Sequence, residues 1–228
     1  MKISGLQKLT LLDYPGKMAC TVFTYGCNFR CGFCHNALLV TKENSDSISN
    51  DEFFAFLKKR QGILEGVCIT GGEPTLQPDL REFIIKIRAL GYAVKLDTNG
   101  TNPRLLKSLI DENLLNYVAM DIKNSPEKYS LTCGCPVDMS AIRESISVIK
   151  NSGIDHEFRT TTVKEYHTPQ DFLAIGDMIC GESKYFLQHF EDSGNLISDN
   201  LSPLTKEEMA TLADNIRSKT PNVAIRGV

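Results

Sequence analysis

Three cysteines fall within eight positions, Cys27-Asn-Phe-Arg-Cys31-Gly-Phe-Cys34, and His35-Asn36 follows directly. One short loop with that spacing can wrap a single metal centre. Thiolates are soft ligands that suit iron–sulfur clusters, zinc and Cu(I). A [4Fe–4S] cluster ordinarily takes four cysteines. Three close thiols with no obvious fourth leave one iron open, and an open position separates a catalytic metal site from a closed structural one. The plain alternative is a Cys3His zinc knuckle completed by His35. Adjacent ligands such as Cys34 and His35 are awkward around one tetrahedral ion, and no second cysteine pair stands at zinc-ribbon spacing.

The elements that must position this loop are read from hydrophobic periodicity. Short apolar runs rich in β-formers mark strands over 18–24, 66–70, 93–97, 117–121, 156–162 and 185–190, with a last short run at 222–226. Amphipathic helices stand between them. Phe53, Phe56 and Leu57 share one face; Leu80, Phe83, Ile84, Ile87 and Leu90 share another. Leu105, Leu106, Leu109 and Ile110 form a third stripe, and later helices carry Ile142, Ile146 and Ile149, then Phe172, Ile175 and Ile179. Ser49 with Glu52 and Thr205 with Glu208 have capping-box spacing. Asn102-Pro103 and Thr168-Pro169 open helices, while Gly91 and Gly153 stop them. Residues 3–13 read as a short hairpin or edge strand before the turn Tyr14-Pro15-Gly16, and 41–50 as a polar connection.

Strand and helix thus alternate about six times, which predicts an α/β fold with a parallel sheet and right-handed crossovers. Six units fall short of the eight in a closed barrel. The expectation is an open, partial (β/α)6 TIM-type barrel. It forms one domain over 1–228, with a short N-terminal hairpin at 1–16 and the cysteine loop at 25–36.

Chemistry in such barrels sits at the C-terminal ends of the strands, and several polar groups fall there. Gly71-Gly72-Glu73-Pro74 closes the second strand, where glycines let backbone approach a ligand; a stiffened turn is the bland reading. Asp97-Thr98-Asn99-Gly100 closes the third and equally fits a simple turn. Asp121 and Lys123 close the fourth on one side of the chain, as ligand contacts or as an internal ion pair. Arg159 lies within the fifth strand and needs an anionic partner, which Glu157 on the same face could supply. His189 lies in the sixth, where a structural histidine is the competing reading.

The composition of the 228 residues is ordinary, 42% hydrophobic and 23% charged, with a formal net charge of −3. No basic footprint argues for nucleic acid. No run of about 18 apolar residues indicates a membrane span, and Met1-Lys-Ile-Ser-Gly-Leu-Gln-Lys8 lacks the apolar core of a signal peptide. Cys20, Cys68, Cys133, Cys135 and Cys180 are scattered, unlike a secreted disulfide framework, so a reducing cytoplasm is expected. Cys133-Gly-Cys135 reads as a local loop feature, His167 as a surface residue, and Lys58-Lys59-Arg60 as a solvated helix face.

The cysteine string with its aromatic Phe33, followed by the strand-end Gly71-Gly72-Glu73-Pro74, resembles the signature of the radical S-adenosylmethionine (SAM) enzymes. Cys34-His35-Asn36, Asp97-Thr98-Asn99-Gly100 and Asp121-Ile-Lys123 resemble the activases of glycyl-radical enzymes within that family. The likeness covers nearly the whole chain, beginning at Gly5-Leu-Gln-Lys and Leu11-Leu-Asp-Tyr-Pro-Gly-Lys17. The resemblance implies that Cys27, Cys31 and Cys34 hold a [4Fe–4S] cluster whose open iron binds the amino and carboxylate groups of SAM. It implies that Phe33 lies near the adenine, that the backbone of Gly71, Gly72 and Glu73 meets the methionine amino group, and that Asp121, Lys123, Arg159 and His189 contact SAM. Asp97 and Thr98 would lie beside the SAM carboxylate and help bind a monovalent cation. Reductive cleavage of SAM would give a 5′-deoxyadenosyl radical that takes a hydrogen atom from a glycine of a partner enzyme. The implied partners are a glycyl-radical enzyme, above all an anaerobic ribonucleoside-triphosphate reductase, and a one-electron donor such as flavodoxin or ferredoxin. The competing readings are a pyruvate formate-lyase-type activase, a radical SAM enzyme acting on a small metabolite (as 7-carboxy-7-deazaguanine synthase does), and a non-catalytic iron–sulfur or zinc module. The last would have no use for the Gly-Gly-Glu-Pro segment.

Overall fold

Ile3–Thr10 (β1) pairs antiparallel with Ala19–Thr24 (β2) and starts one eight-stranded sheet in a computed structural model that describes residues 1–41, 47–192 and 194–227. From β2 onward every neighbour is parallel. The order follows the chain: Gly66–Gly71 (β3), Ala93–Thr98 (β4), Tyr117–Asp121 (β5), Asp155–Thr162 (β6), Lys184–His189 (β7) and Val223–Arg226 (β8). Sequential parallel strands require crossovers, and helices supply them. These are Ala37–Thr41 (α1), Asn50–Lys59 (α2), Leu80–Ala89 (α3), Pro103–Asp111 (α4), Tyr129–Cys133 (α5), Met139–Asn151 (α6), Pro169–Ile179 (α7) and Lys206–Ile216 (α8).

The six strand–helix repeats expected from periodicity are present, and the sheet is an open partial barrel of the expected α/β class. Its edges are β1 and β8. The N-terminal hairpin differs from the expectation. Residues 11–18 are a turn, so β1 finds its partner in β2 and not within 1–16. Helices α1 and α5 were not anticipated, because five residues are too few to display a 3.6-residue period. The connection expected at 41–50 lies in part outside the described residues. Among the described residues no helix is long and apolar enough to cross a membrane.

Alternation sorts each strand into two faces. Val94, Leu96, Val118, Met120, Phe158, Tyr185 and Leu187 point outward and share one core with Leu106, Leu109, Ile146, Ile149, Phe172, Ile175 and Leu212 of the helices. The opposite phase points into the barrel. There the registers set Asp121 beside Arg159 and Asp97 beside Ala119, two residues before Asp121 on β5. The helix starts use the expected chemistry. Ser49 and Thr205 accept from the amides of Glu52 and Glu208 in capping boxes, Asn102 accepts from Leu105 N, and at α7 the Asp171 carboxylate accepts from Thr168 N and Oγ1. Each such cap contributes about 1 kcal/mol.

Candidate active site

The cysteine loop leaves the end of β2 and is pinned from several sides. Gly72 N donates to Thr24 O at 2.9 Å and Glu73 N to Gly26 O at 2.8 Å, so the end of β3 runs against the start of the loop. Gly71 has φ +115°, and a Cβ on Gly72 would run into the Gly26 carbonyl. Both positions therefore require glycine for backbone to pass backbone. Arg30 donates from Nη1 to the carbonyls of Cys27 (2.7 Å) and Phe29 (2.8 Å). From the other side, Ile197 N and Ser198 N donate to Gly32 O.

Cys27, Cys31 and Cys34 all line one cavity of about 450 Å³ at the strand ends. Phe29 N donates to Cys27 Sγ at 3.3 Å, and the Asn99 side-chain amide lies 3.9 Å from the same sulfur. Burial pushes the Cys27 thiol up to about 11 and raises Cys34. Cys31 is brought down, the influence of the Cys133 thiol outweighing the cost of burial. The three thiols line the cavity separately; among the described residues no three His, Cys, Asp or Glu side chains stand together around one ion position.

The opposite wall is a chain of charges on consecutive strands. Lys95 pairs with Asp97, Asp97 Oδ2 lies 3.1 Å from Arg159 Nη1, Arg159 Nε donates to Asp121 Oδ1 at 2.9 Å, and Lys123 Nζ to Asp121 Oδ2 at 3.0 Å. Burial alone would raise the Asp121 carboxyl. The Arg159 guanidinium and then Lys123 outweigh it and hold Asp121 far below the usual carboxylate range. Burial likewise opposes the charge on Lys123 and Arg159, and the carboxylates beside them win, so both stay protonated. Of this chain Asp97, Asp121, Lys123 and Arg159 line the cavity, and Lys123 and Arg159 are the donors that a ligand carboxylate would meet there.

Phe33 is buried on the cavity rim and meets Tyr166 edge to face at 5.7 Å. Gly71, Gly72, Glu73, Asp97, Thr98, Asp121, Lys123 and Arg159 all line the cavity. The Glu73 carboxylate, however, is buried on Thr75, Thr98 Oγ1 and Asn99 N and holds two strand-end loops together. Glu157, the competing partner for Arg159, stands 4.0 Å away and is taken by Arg226, two bonds of 2.9 Å, and by the Tyr117 hydroxyl.

Three expectations are corrected. His189 does not line the cavity. Alternation along β7 turns Gln188 inward and sends His189 to the other face, where its Nε2 meets Leu204 O at 3.1 Å. His167 is not a surface residue. Its ring is buried between Phe33 and Phe172, and its two nitrogens bind the backbone of Val163 and Lys123. Cys133 is not a mere loop feature, since it ends α5 and is fully buried. The residues missed from sequence are Asn99, Thr161, Gln188 and Asp13, which also line the cavity. Asn99 was within reach, being next to Asp97-Thr98. Asp13 was not, because it comes from the β1–β2 turn.

The profile of the Radical SAM superfamily matches residues 21–179, from within β2 to the end of α7. A Methanocaldococcus jannaschii protein provisionally named a glycyl-radical enzyme activating enzyme is 32% identical over 99% of this chain and 96% of its own length. A pyruvate formate-lyase-activating enzyme of Listeria monocytogenes is 30% identical over 56% of each chain. The structure of Streptococcus suis SuiB bound to S-adenosylmethionine superposes with a TM-score of 0.70 over 89% of this chain and 48% of that one, at 15% identity. Three thiols on one strand-end cavity, the open parallel barrel that carries them and the whole-length relative agree: the chain belongs to the Radical SAM superfamily.

Proposed function

We propose that this chain activates a glycyl-radical enzyme, with a [4Fe–4S] cluster on Cys27, Cys31 and Cys34 and SAM in the strand-end cavity. The observation that carries the reading is the cavity itself, which has three soft thiol donors on one wall and an ion-paired chain with Lys123 and Arg159 on the other. The family implies both groups, and the donor set suits them. Three cysteines with no fourth cavity thiol among the described residues match a cluster with one open iron, and Lys123 and Arg159 suit the carboxylate of an amino-acid ligand. When bound, the cluster supplies one electron to the SAM sulfonium, whose S–C5′ bond breaks to give methionine and a 5′-deoxyadenosyl radical.

The chain's own residues bind, orient and exclude competing reactions. Gly71 and Gly72, without side chains, leave backbone for the methionine ammonium. Lys123 and Arg159 meet the carboxylate, and Asp121 accepts from ribose hydroxyls. Phe33 packs beside the adenine. Asp97 and Thr98 supply the oxygens for a monovalent cation. The partner is a glycyl-radical enzyme, and an anaerobic ribonucleoside-triphosphate reductase is the one we favour, on the likeness of the N-terminal string and of the whole chain. A flavodoxin or ferredoxin would deliver the electron, in the cytoplasm.

The test is anaerobic. The protein is reconstituted with iron and sulfide, reduced, and given SAM with and without the candidate reductase, and 5′-deoxyadenosine and the glycyl-radical resonance are followed. Both signals together are the expected result. Deoxyadenosine without the radical on any glycyl-radical enzyme removes the activase reading in favour of a small substrate. Neither product from a cluster-loaded protein removes the SAM chemistry.

A further inference from the structure

We infer that Thr161 and Gln188 form a substrate subsite at the cavity mouth, where they bind the backbone amides that flank the reacting glycine of the partner enzyme. The inference deepens the activase reading above and rests on it. It starts from strand register. Thr161 of β6 and Gln188 of β7 are paired across the two strands, and both line the cavity. Arg159 precedes Thr161 by two residues and shares its face of β6. At the rise of a parallel strand, Thr161 stands roughly 6–7 Å beyond Arg159 toward the strand end. The charged wall is therefore the deeper rung of the cavity, and Thr161 with Gln188 is the outer one. Gln188 also lies on the strand next to β8, an edge of the open sheet.

The deeper polar groups are committed to one another. The carboxylates and cations of the wall are ion-paired, and the Glu73 carboxylate is held by Thr75, Thr98 and Asn99. Gln188 O accepts from Thr162 Oγ1 at 3.1 Å, but neither the Gln188 side-chain amide nor the Thr161 hydroxyl has a hydrogen-bond partner among the described residues. Thr70 and His35 share that condition, but they adjoin Gly71 and Cys34, on the side given to the methionine ammonium and the cluster. An amide and a hydroxyl offer donors and acceptors without charge, which suits a neutral polar ligand over a carboxylate or an ammonium. Glycine has no side chain, so the polar handles beside its α-carbon are its two flanking peptide groups, each with one N–H and one C=O. Peptide groups that leave water for a cavity need new partners. The Gln188 amide can accept from one N–H and donate to one C=O at once, and the Thr161 hydroxyl adds a further bond. Held by its amides, the glycine keeps its α-carbon in place while the hydrogen atom is taken.

The experiment compares wild-type, Gln188→Leu and Thr161→Val proteins, each reconstituted anaerobically and checked for iron content. SAM affinity is measured by equilibrium dialysis without a partner. Glycyl-radical formation is then titrated against a glycyl-radical enzyme that the wild type activates. The expected result is an unchanged SAM affinity in both variants and a half-saturating partner concentration raised about 10-fold, as for the loss of one hydrogen bond to a peptide group. A SAM affinity that falls in step with activation overturns the inference and assigns the pair to the SAM nucleoside. An unchanged half-saturating concentration also overturns it. Should Gln188→Leu fail to take up iron, Thr161→Val decides alone by the same two readings, since it changes a different strand and keeps the side-chain shape. A wild-type chain that yields deoxyadenosine but no radical on any glycyl-radical enzyme removes the activase reading and this inference with it, whereas failure of the variants alone leaves that reading intact.

Discussion

Arg159 is the residue on which the charged wall depends. Its Nε and Nη1 reach carboxylates on two different strands, Asp121 of β5 and Asp97 of β4. A planar guanidinium can bridge both at once, whereas a lysine ammonium is a point charge on a flexible stem. The side chain is 14% exposed, so solvent screens the pairs weakly. Arg159→Lys should keep the net charge and lose the bridge. The expected outcome is normal iron content with SAM affinity reduced about 10-fold, which corresponds to about 1.4 kcal/mol. Anaerobic equilibrium dialysis of SAM against both cluster-loaded proteins measures it, and unchanged affinity would remove this wall from the binding site. Most of the wall was legible in sequence because Asp121-Ile-Lys123 and Asp97-Thr98 end strands, where chemistry collects. The pairing of Arg159 was not. Glu157 shares its strand face, but register across β5 and β4 brings closer carboxylates, and sequence does not print register.

At the scale of elements, the buried Asp171 ties helix α7 to the segment that follows β5. It closes the capping box of α7 with Thr168, and it also takes Ser125 Oγ (2.8 Å) and Lys128 Nζ (2.6 Å) from the segment after β5. That segment follows Lys123 and leads to Cys133. Burial alone would raise the Asp171 carboxyl; the bonds from Lys128, Thr168 and Ser125 outweigh it and bring it down to about 2 from 3.8. A depressed acid contributes stability that is present above its unfolded value and lost as pH falls through its folded value. The window is therefore about pH 4 down to about pH 2, and the contribution is about 1–2 kcal/mol once the partial exposure of Lys128 is discounted. Asp171→Asn should be less stable than wild type by that amount at pH 7, with the gap closing as pH approaches 2. Urea unfolding of both proteins across pH measures it; a gap that does not change with pH would assign the loss to hydrogen-bond geometry alone. The long helices and their caps were readable because periodicity and cap chemistry are local signals. His167 was misread for the opposite reason. Its polar neighbours describe the chain locally, whereas its burial comes from Phe33 and Phe172, which are remote in sequence.

For the whole molecule, the question is what closes the barrel beneath its cavity, since a radical made at the strand ends must be kept from solvent on every side but the one the substrate uses. The N-terminal segment supplies the closure. After β1 the turn folds Tyr14 under the sheet, against Tyr117 at 6.2 Å between ring centroids, with Ala19 and Ala93 beside them. Gly66 completes the fit, because a Cβ there would lie 2.9 Å from the Tyr14 ring. Tyr14, Tyr117 and the Glu157–Arg226 pair thus fill the interior below Asp97 and Arg159. Truncating a buried aromatic costs about 3–5 kcal/mol, through lost transfer energy and the cavity left behind. Tyr14→Ala should therefore lower the midpoint of thermal unfolding by roughly 10 °C, at roughly 2–4 °C per kcal/mol for a chain of this size. Tyr14→Phe, which keeps the ring and loses a hydroxyl with no partner among the described residues, should stay within about 1 kcal/mol of wild type. Calorimetry on the three proteins separates the cases. A Tyr14→Ala protein as stable as wild type would mean that the N-terminal segment merely lies against the barrel, and that its floor is made by the strands alone.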